Sequence, residues 1–474
     1  MANGLGLSRR RRGRRNIPGG TPGKRVRPPI AALALALLVL PACDYSDPAA
    51  RRPPRRPNVL IILTDDQRAE GTMSVMPATK RLFQSAGTYF PEAVTTTPLC
   101  CPSRASIFTG RYTHNHGLLV RVEKPSDVDR DTMLMRYLHD DGYRVGFFGK
   151  YLNGWPLRTG PPDVDRWAIF GHSLFSGYRG GNWNVNGTKR IVNEYSTTFM
   201  TRQARTFIRA GERNDRRPWA LFVNTGAPHK PAIPEERYQG APVPPFDVTD
   251  RIYEPNDRDK PAFIRDLRVS RSQSERLRAE QLRTLMSVDD MIEEIFDTMN
   301  VRGERDTIAI FMSDNGNFWG EHGNDGKFLP YEMSIRIPMY MRWPGRVDPG
   351  VVDRRLAANI DVTPTILDAV EIEPEHILDG KSLFEEWDRD DILVEFWESF
   401  HVPTWASIWS DGFQYTEYYD ADGLVTDREH YDLEADPLQN ENVLVDDDQS
   451  NDPDVDELSA QLRIYRGCAG QECP

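Results

Sequence analysis

A chain of 474 residues, 39% hydrophobic and 27% charged, is long enough for one large domain and a smaller one, and its 35 Gly and 36 Pro imply many loops. The formal net charge is −12, yet nine of the 59 Lys and Arg lie in residues 1–43 beside no acid, so the rest of the chain is more acidic still. A body that acidic excludes a general nucleic-acid binder and repels polyanions, except where a few cations are gathered in one cleft.

In chain order, the basic stretches "RRRRGRRN" and "KRVR" precede an apolar run from Ile30 to Leu40. That run is too short for a bilayer, which needs about 20 residues, but it suits a signal-peptide core. Leu40-Pro41-Ala42-Cys43 resembles a bacterial lipobox. It implies an exported protein, either a cell-envelope lipoprotein lipidated at Cys43 or, if the cysteine is incidental, a secreted one. Residues 1–43 are read as this signal and 44–57 as a Pro/Arg-rich tether.

Asn58–Leu63, Arg144–Phe148, Trp219–Asn224, Thr307–Met312 and Pro338–Trp343 read as buried strands. Their near-continuous hydrophobicity points to parallel strands covered on both faces. Between them, Glu275–Asn300 carries Leu282, Leu285, Met286, Ile292, Ile295, Phe296 and Met299 at the spacing of an amphipathic helix. Strands alternating with helices predict an α/β fold over 58–384, a mostly parallel central sheet sandwiched by helices. After about residue 385, "DILVEFWES", "WASIWSDGFQYTEYYDADGLV" and "EHYDLEADPLQNENVL" predict antiparallel strands, with a turn at Asp422-Gly423. Residues 385–474 are therefore read as a smaller C-terminal α+β subdomain and tail. Cys468 and Cys473 are close enough to bridge, and export permits a disulfide. Cys100 and Cys101 are left without an obvious partner.

Four predicted strands run into chemically useful residues: Asp65-Asp66, Lys150 with Asn153, His229, and Asp314-Asn315. Each alone is explained by a turn. Together they mark the carboxyl edge of one parallel sheet, where ligands bind. Three carboxylates and an amide form a hard oxygen set suited to Ca²⁺ or Mg²⁺ rather than zinc. With lysines and a histidine beside them, the set points to an anionic group held against a divalent cation. Sulfate and phosphate esters are the obvious classes.

Cys100-Cys101-Pro102-Ser103-Arg104, with Pro102 suited to a first helical position and Cys100 at the helix N-terminus, is followed by Thr109-Gly110-Arg111. This run resembles the signature of the type I sulfatase family. The likeness continues through the motifs above, Gly326-Lys327, Tyr331-Glu332 and "YDLEADPLQNENV". It implies that Cys100 is oxidised to Cα-formylglycine (3-oxoalanine) by a formylglycine-generating enzyme, and that its hydrated form attacks sulfur. It also implies one Ca²⁺ per chain, bound by Asp65, Asp66, Asp314, Asn315 and the modified Cys100. Arg104 would steady the diol, Lys150 and Lys327 would hold sulfate oxygens, and His229 would protonate the leaving oxygen. Many sulfatases carry His where this chain has Leu152. "GKYLNG", "CCPSRAS" and "HNHG" instead resemble the N-acetylglucosamine-6-sulfatase branch. His114 and His116 become candidates for the missing base, against simple capping or packing, and His322 and Asn153 candidates for lining the substrate pocket. Trp155, Trp167 and Trp183 suit either a pocket rim or packing. The resemblance implies a sulfated small molecule or oligosaccharide as partner, with aryl sulfates a further class, and membrane contact only through a lipid anchor. A phosphonate monoester or phosphodiester hydrolase on the same fold, and a non-catalytic surface-binding lipoprotein, are the alternatives.

Overall fold

Asn58–Asp65 is buried at every position, the mark of a strand covered on both faces. The computed structural model describes residues 56–120, 124–171, 178–213, 217–246, 258–446 and 448–474. The expected signal segment, Cys43 and nearly all of the tether lie outside the described residues. Among those described, no helix is long and apolar enough to cross a membrane.

The main sheet contains β1 (Asn58–Asp65), β2 (Thr88–Tyr89), β3 (Arg144–Gly149), β4 (Arg166–Phe170), β5 (Gly181–Val185), β6 (Thr188–Val192), β7 (Trp219–Pro228), β8 (Thr307–Ser313), β9 (Met339–Arg342) and β10 (Val351–Val352). Their order is β10-β2-β9-β8-β1-β7-β3-β4-β5-β6. The centre, β8-β1-β7-β3-β4, is parallel throughout. The predicted strand at Pro338–Trp343 is present as β9, but it runs antiparallel to β8. A buried apolar run shows that both faces are covered and says nothing of direction. A second sheet of β11 (Asp391–Phe396), β12 (Thr404–Ser410), β13 (Phe413–Tyr419) and β14 (Val425–Asp432) is antiparallel throughout.

Alternate residues of β1 feed opposite cores. Val59, Ile61 and Leu63 pack with Cys101, Ala105 and Phe108 of the Cys100–Thr109 helix. Leu60 and Ile62 pack with the Ser196–Gly211 and Arg271–Arg302 helices. The latter helix is the predicted amphipathic one. It begins at a capping box in which Ser270 and Gln273 exchange hydrogen bonds, and it ends at Gly303 with φ 76°. A third core joins Phe318, Leu329 and Tyr331 to Trp405, Tyr415, Tyr418 and Tyr431 of the antiparallel sheet.

Candidate active site

The four strands whose ends carry the predicted chemistry are immediate neighbours, β8-β1-β7-β3, so their carboxyl ends deliver Asp314, Asp65, His229 and Lys150 to one edge. The local backbone is shaped for this. Asp66 takes a left-handed turn with φ 69°, fixed by its N–H donating to Asp314 Oδ1 at 3.1 Å and the Gln67 N–H donating to Ser313 Oγ at 2.9 Å. Gly149 turns with φ 120°, and a Cβ there would lie 1.8 Å from the Asn224 carbonyl oxygen; only glycine lets β3 pass so close and still present Lys150. The Cys100–Thr109 helix is buried at every position and starts at Cys100 itself, with Leu99 as N-cap. Pro102 is therefore its third residue rather than its first. The missing N–H still costs nothing there, because the first-turn donors have no helical acceptors.

The cluster is a lattice of alternating charge. Lys150 Nζ donates to Asp65 Oδ2 at 2.6 Å. Lys327 Nζ contacts Asp66 Oδ1, Cys100 Sγ at 2.6 Å and Asn315 Oδ1 at 3.3 Å. Fully buried Arg104 donates through Nε to Asp314 Oδ2 and through a terminal nitrogen to the Lys150 carbonyl, both at 2.8 Å. Its other terminal nitrogen is buried without a partner. Burial by itself raises Asp65, but Lys150, His229 and Arg104 outweigh it and hold the carboxyl well below its usual range. Asp66 is likewise lowered, against burial, chiefly by Lys327. Asp314 is raised by burial and by Asp65. His229 donates from Nδ1 to the Lys230 carbonyl at 2.5 Å, which leaves Nε2 facing Asp66 Oδ2 at 3.6 Å. Burial lowers this imidazole, but Asp66 and Asp65 push it up to about 9.

The carboxylate oxygens at this point suit a hard cation. Ligand atoms of Asp65, Asp66, Cys100 and His229 lie within 4.8 Å of one another, and Asp65 Oδ1 is buried with no hydrogen-bond partner. The Asn315 side chain directs Nδ2 at Asp66 Oδ1 at 2.8 Å; exchanging amide N and O would turn its acceptor toward the same point.

A family model described as Sulfatase matches residues 57–372, and a second, described as N-sulphoglucosamine sulphohydrolase, C-terminal, matches residues 320–466. The chain belongs to the sulfatase family. Human N-acetylglucosamine-6-sulfatase is 28% identical over 515 residues, covering 94% of this chain and 90% of that protein. An extracellular sulfatase SULF-1 homolog of Drosophila melanogaster is 32% identical over 349 residues, 69% of this chain, and the match spans only 31% of the relative's own length. A solved structure in complex with its substrate D-glucosamine-2-N,6-O-disulfate superposes with a TM-score of 0.72 at 20% identity, covering 86% of this chain and 96% of that one.

Within this sulfatase-family fold, several residues expected at the pocket have other partners. His114 donates from Nδ1 to Glu395 at 2.9 Å and from Nε2 to the Cys468 carbonyl at 2.9 Å; burial lowers it, but Glu395 raises it overall. His116 accepts the Leu118 N–H on Nδ1 at 3.1 Å and donates from Nε2 to Ser106 at 3.0 Å, and burial lowers it to about 3. Neither has a ring nitrogen left to act as the missing base. His322 donates to the Leu438 carbonyl at 3.0 Å and stacks on Tyr331 at 3.9 Å; burial lowers it to about 3. Asn153 is buried, with a side-chain oxygen that has no partner. Trp183 is core, between Phe170 and Phe199. Trp155 and Trp167 are half-buried, with indoles donating to Thr159 O and Asn184 Oδ1. Cys468 and Cys473 form a disulfide.

Sequence reasoning missed how Lys327 is held. Trp405 of β12 donates to the Phe328 carbonyl at 2.8 Å, and Gln414 of β13 to the Pro330 carbonyl at 2.5 Å. The Tyr331 hydroxyl donates to Glu429 of β14 at 2.9 Å, and the Glu332 N–H to Gln439 at 2.7 Å. The antiparallel sheet, with Gln439 beyond its last strand, thus grips the segment that follows the lysine at four points, two carbonyls that accept and two groups that donate. These partners lie far away in sequence, and no local pattern announces them.

Proposed function

We propose that the chain hydrolyses sulfate monoesters of glycosaminoglycan-type sugars, with a 6-sulfated N-acetylglucosamine as the leading substrate, and that it works outside the cytoplasm. The observation that carries this reading is the contact of Lys327 Nζ with Cys100 Sγ at 2.6 Å in a cluster with Lys150, His229 and three carboxylates. The wide match to N-acetylglucosamine-6-sulfatases supports the substrate class, and the disulfide supports export.

Lys150 and Lys327 supply two fixed positive charges for the sulfuryl oxygens, in a buried setting where they act strongly. His229 turns Nε2 toward Asp66, and the Nε2–H is the proton to be given to the leaving alkoxide. Arg104, on the same helix as residue 100, keeps one buried terminal nitrogen without a partner. Leu152, His114 and His116 offer no general base. Asp65, Asp66, Asp314 and Asn315 would hold Ca²⁺, which polarises sulfate oxygens when bound, while the formylglycine form of Cys100 supplies the hydroxyl nucleophile.

Rates with Ca²⁺ on a panel of sulfated sugars, an aryl sulfate and an aryl phosphodiester test this. The reading expects the fastest turnover on a 6-sulfated glucosamine. A large preference for the phosphodiester would assign the site to phosphorus, and no turnover of any ester by matured protein would leave only the binding-protein alternative.

A further inference from the structure

His229 and Lys327 reach Asp66 from two different loops, His229 toward Oδ2 at 3.6 Å and Lys327 against Oδ1. The same two loops meet a second time. Lys230, the residue after the histidine, pairs through Nζ with Oδ1 of Asp325, two residues before the lysine, at 2.6 Å. The two meetings differ in exposure. The side chains of Lys327 and Asp66 are each 5% exposed, whereas those of Lys230 and Asp325 are 35% and 41% exposed. The Lys230–Asp325 pair is therefore the outer rung, at the edge where the two loops reach solvent. Among the described residues, neither of its side chains has another hydrogen bond or ion pair.

An exposed ion pair between loops is ordinarily a brace. Here each loop already has its own backbone anchors. The His229 carbonyl accepts the Tyr178 hydroxyl at 2.5 Å and the Ala232 N–H at 3.0 Å, and the His229 N–H donates to the Gly226 carbonyl at 3.1 Å. In the other loop, the Gly320 N–H donates to the Asn324 carbonyl and the Gly326 N–H to Asn324 Oδ1, both at 2.9 Å, and the Phe318 N–H donates to the Gly326 carbonyl at 2.8 Å. A pair this exposed adds little to stability, so an anion that replaces Asp325 on Lys230 costs the fold little. The chain as a whole carries a net charge of −12, and a substrate with more than one negative charge needs a cation at the rim to offset that field. We propose that Lys230 is a specificity-determining residue that takes a second anionic group of the substrate, a sulfate elsewhere on the same sugar or the carboxylate of the next one. Asp325 holds the ammonium when no such group is bound. This rests on the reading of the buried Lys150 and Lys327 as the pair that holds the sulfate ester.

The test compares kcat/KM of the matured, Ca²⁺-loaded full chain on N-acetylglucosamine 6-sulfate, on N-sulfoglucosamine 6-sulfate, and on N-acetylglucosamine 6-sulfate joined to a uronic acid. Lys230→Met keeps the apolar stem and the backbone carbonyl that accepts the His229 Nδ1–H. It is expected to lower kcat/KM on a doubly charged sugar about fivefold more than on the singly charged one, and the sugar affected identifies the anion as sulfate or carboxylate. Asp325→Asn frees the ammonium and is expected to move the same ratio the other way, about two- to threefold. A Lys230→Met protein that changes all of the sugars by one factor, or none of them, overturns the proposal. An Asp325→Asn ratio that does not rise overturns the holding role of Asp325. A parent that hydrolyses none of the sugars sinks the sulfate-holding assignment of Lys150 and Lys327, and the role of Lys230 with it.

Discussion

Two adjacent cysteines have opposite surroundings. Cys100 Sγ lies against the Lys327 ammonium. Cys101 faces the core, is fully buried, has only a weak S–H contact to the Asn153 carbonyl at 3.8 Å, and burial pushes its thiol up to about 12. An inert small thiol is replaceable. Cys101→Ala is expected to cost about 1 kcal/mol of stability and to keep most of the activity, as read from a melting curve and a steady-state rate; loss of turnover with an unchanged melt would contradict it. His322 carries a second prediction. Its Nε2 donates to a carbonyl while Nδ1 is buried without a partner, and burial holds it near 3, below the 6.5 of an exposed histidine. The unfolded chain therefore takes up a proton that the folded one refuses. The stability is intact above about pH 6.5 and is lost as pH falls toward 3, at about 1.4 kcal/mol per unit. His322→Asn, a residue that tolerates the φ of 50° here, is expected to lose some packing but to show a shallower fall in Tm between pH 6.5 and 4. A fall parallel to the parent's would show that this imidazole does not titrate on unfolding.

At the scale of elements, the antiparallel sheet holds the segment that follows Lys327 as well as packing against it. Trp405→Phe keeps a six-membered aromatic ring and removes the N–H that holds the Phe328 carbonyl together with the five-membered ring that carries it, at some cost in packing at this buried position. A net bond of about 1 kcal/mol translates into a kcat/KM about fivefold lower, with the loss mostly in kcat and Tm within a few degrees of the parent. A drop in Tm with kcat unchanged would make the bond merely structural. The elements differ in how far the sequence announces them. The central strands were legible because each is a continuous apolar run ending in Asp, Lys, His or Asn, and the Arg271–Arg302 helix because its apolar residues repeat at helical spacing. The direction of β9 was not, since hydrophobic pattern carries no sense of direction. Strands β4 to β6 escaped notice because an edge such as Thr188–Val192, exposed at all but its last residue, has no apolar signature. Lys327 was located by family resemblance alone, and its supports Trp405, Gln414 and Glu429 come from pairings roughly a hundred residues apart, which no window of sequence contains.

For the molecule as a whole, the site is charge-compensated within the protein itself. Asp65, Asp66 and Asp314 face Lys150, Lys327 and Arg104, while the fold rests on three hydrophobic cores. Removal of Ca²⁺ is therefore expected to abolish turnover and to leave most of the melting transition in place, as measured by calorimetry before and after chelation; collapse of the fold would make the ion structural. The family account stands most directly on one measurement, the release of inorganic sulfate from N-acetylglucosamine 6-sulfate by matured, Ca²⁺-loaded protein beside its Cys100→Ala variant. The account predicts steady release by the parent and none above background by the variant, whose melting curve stays normal. Equal release by the two proteins would contradict it.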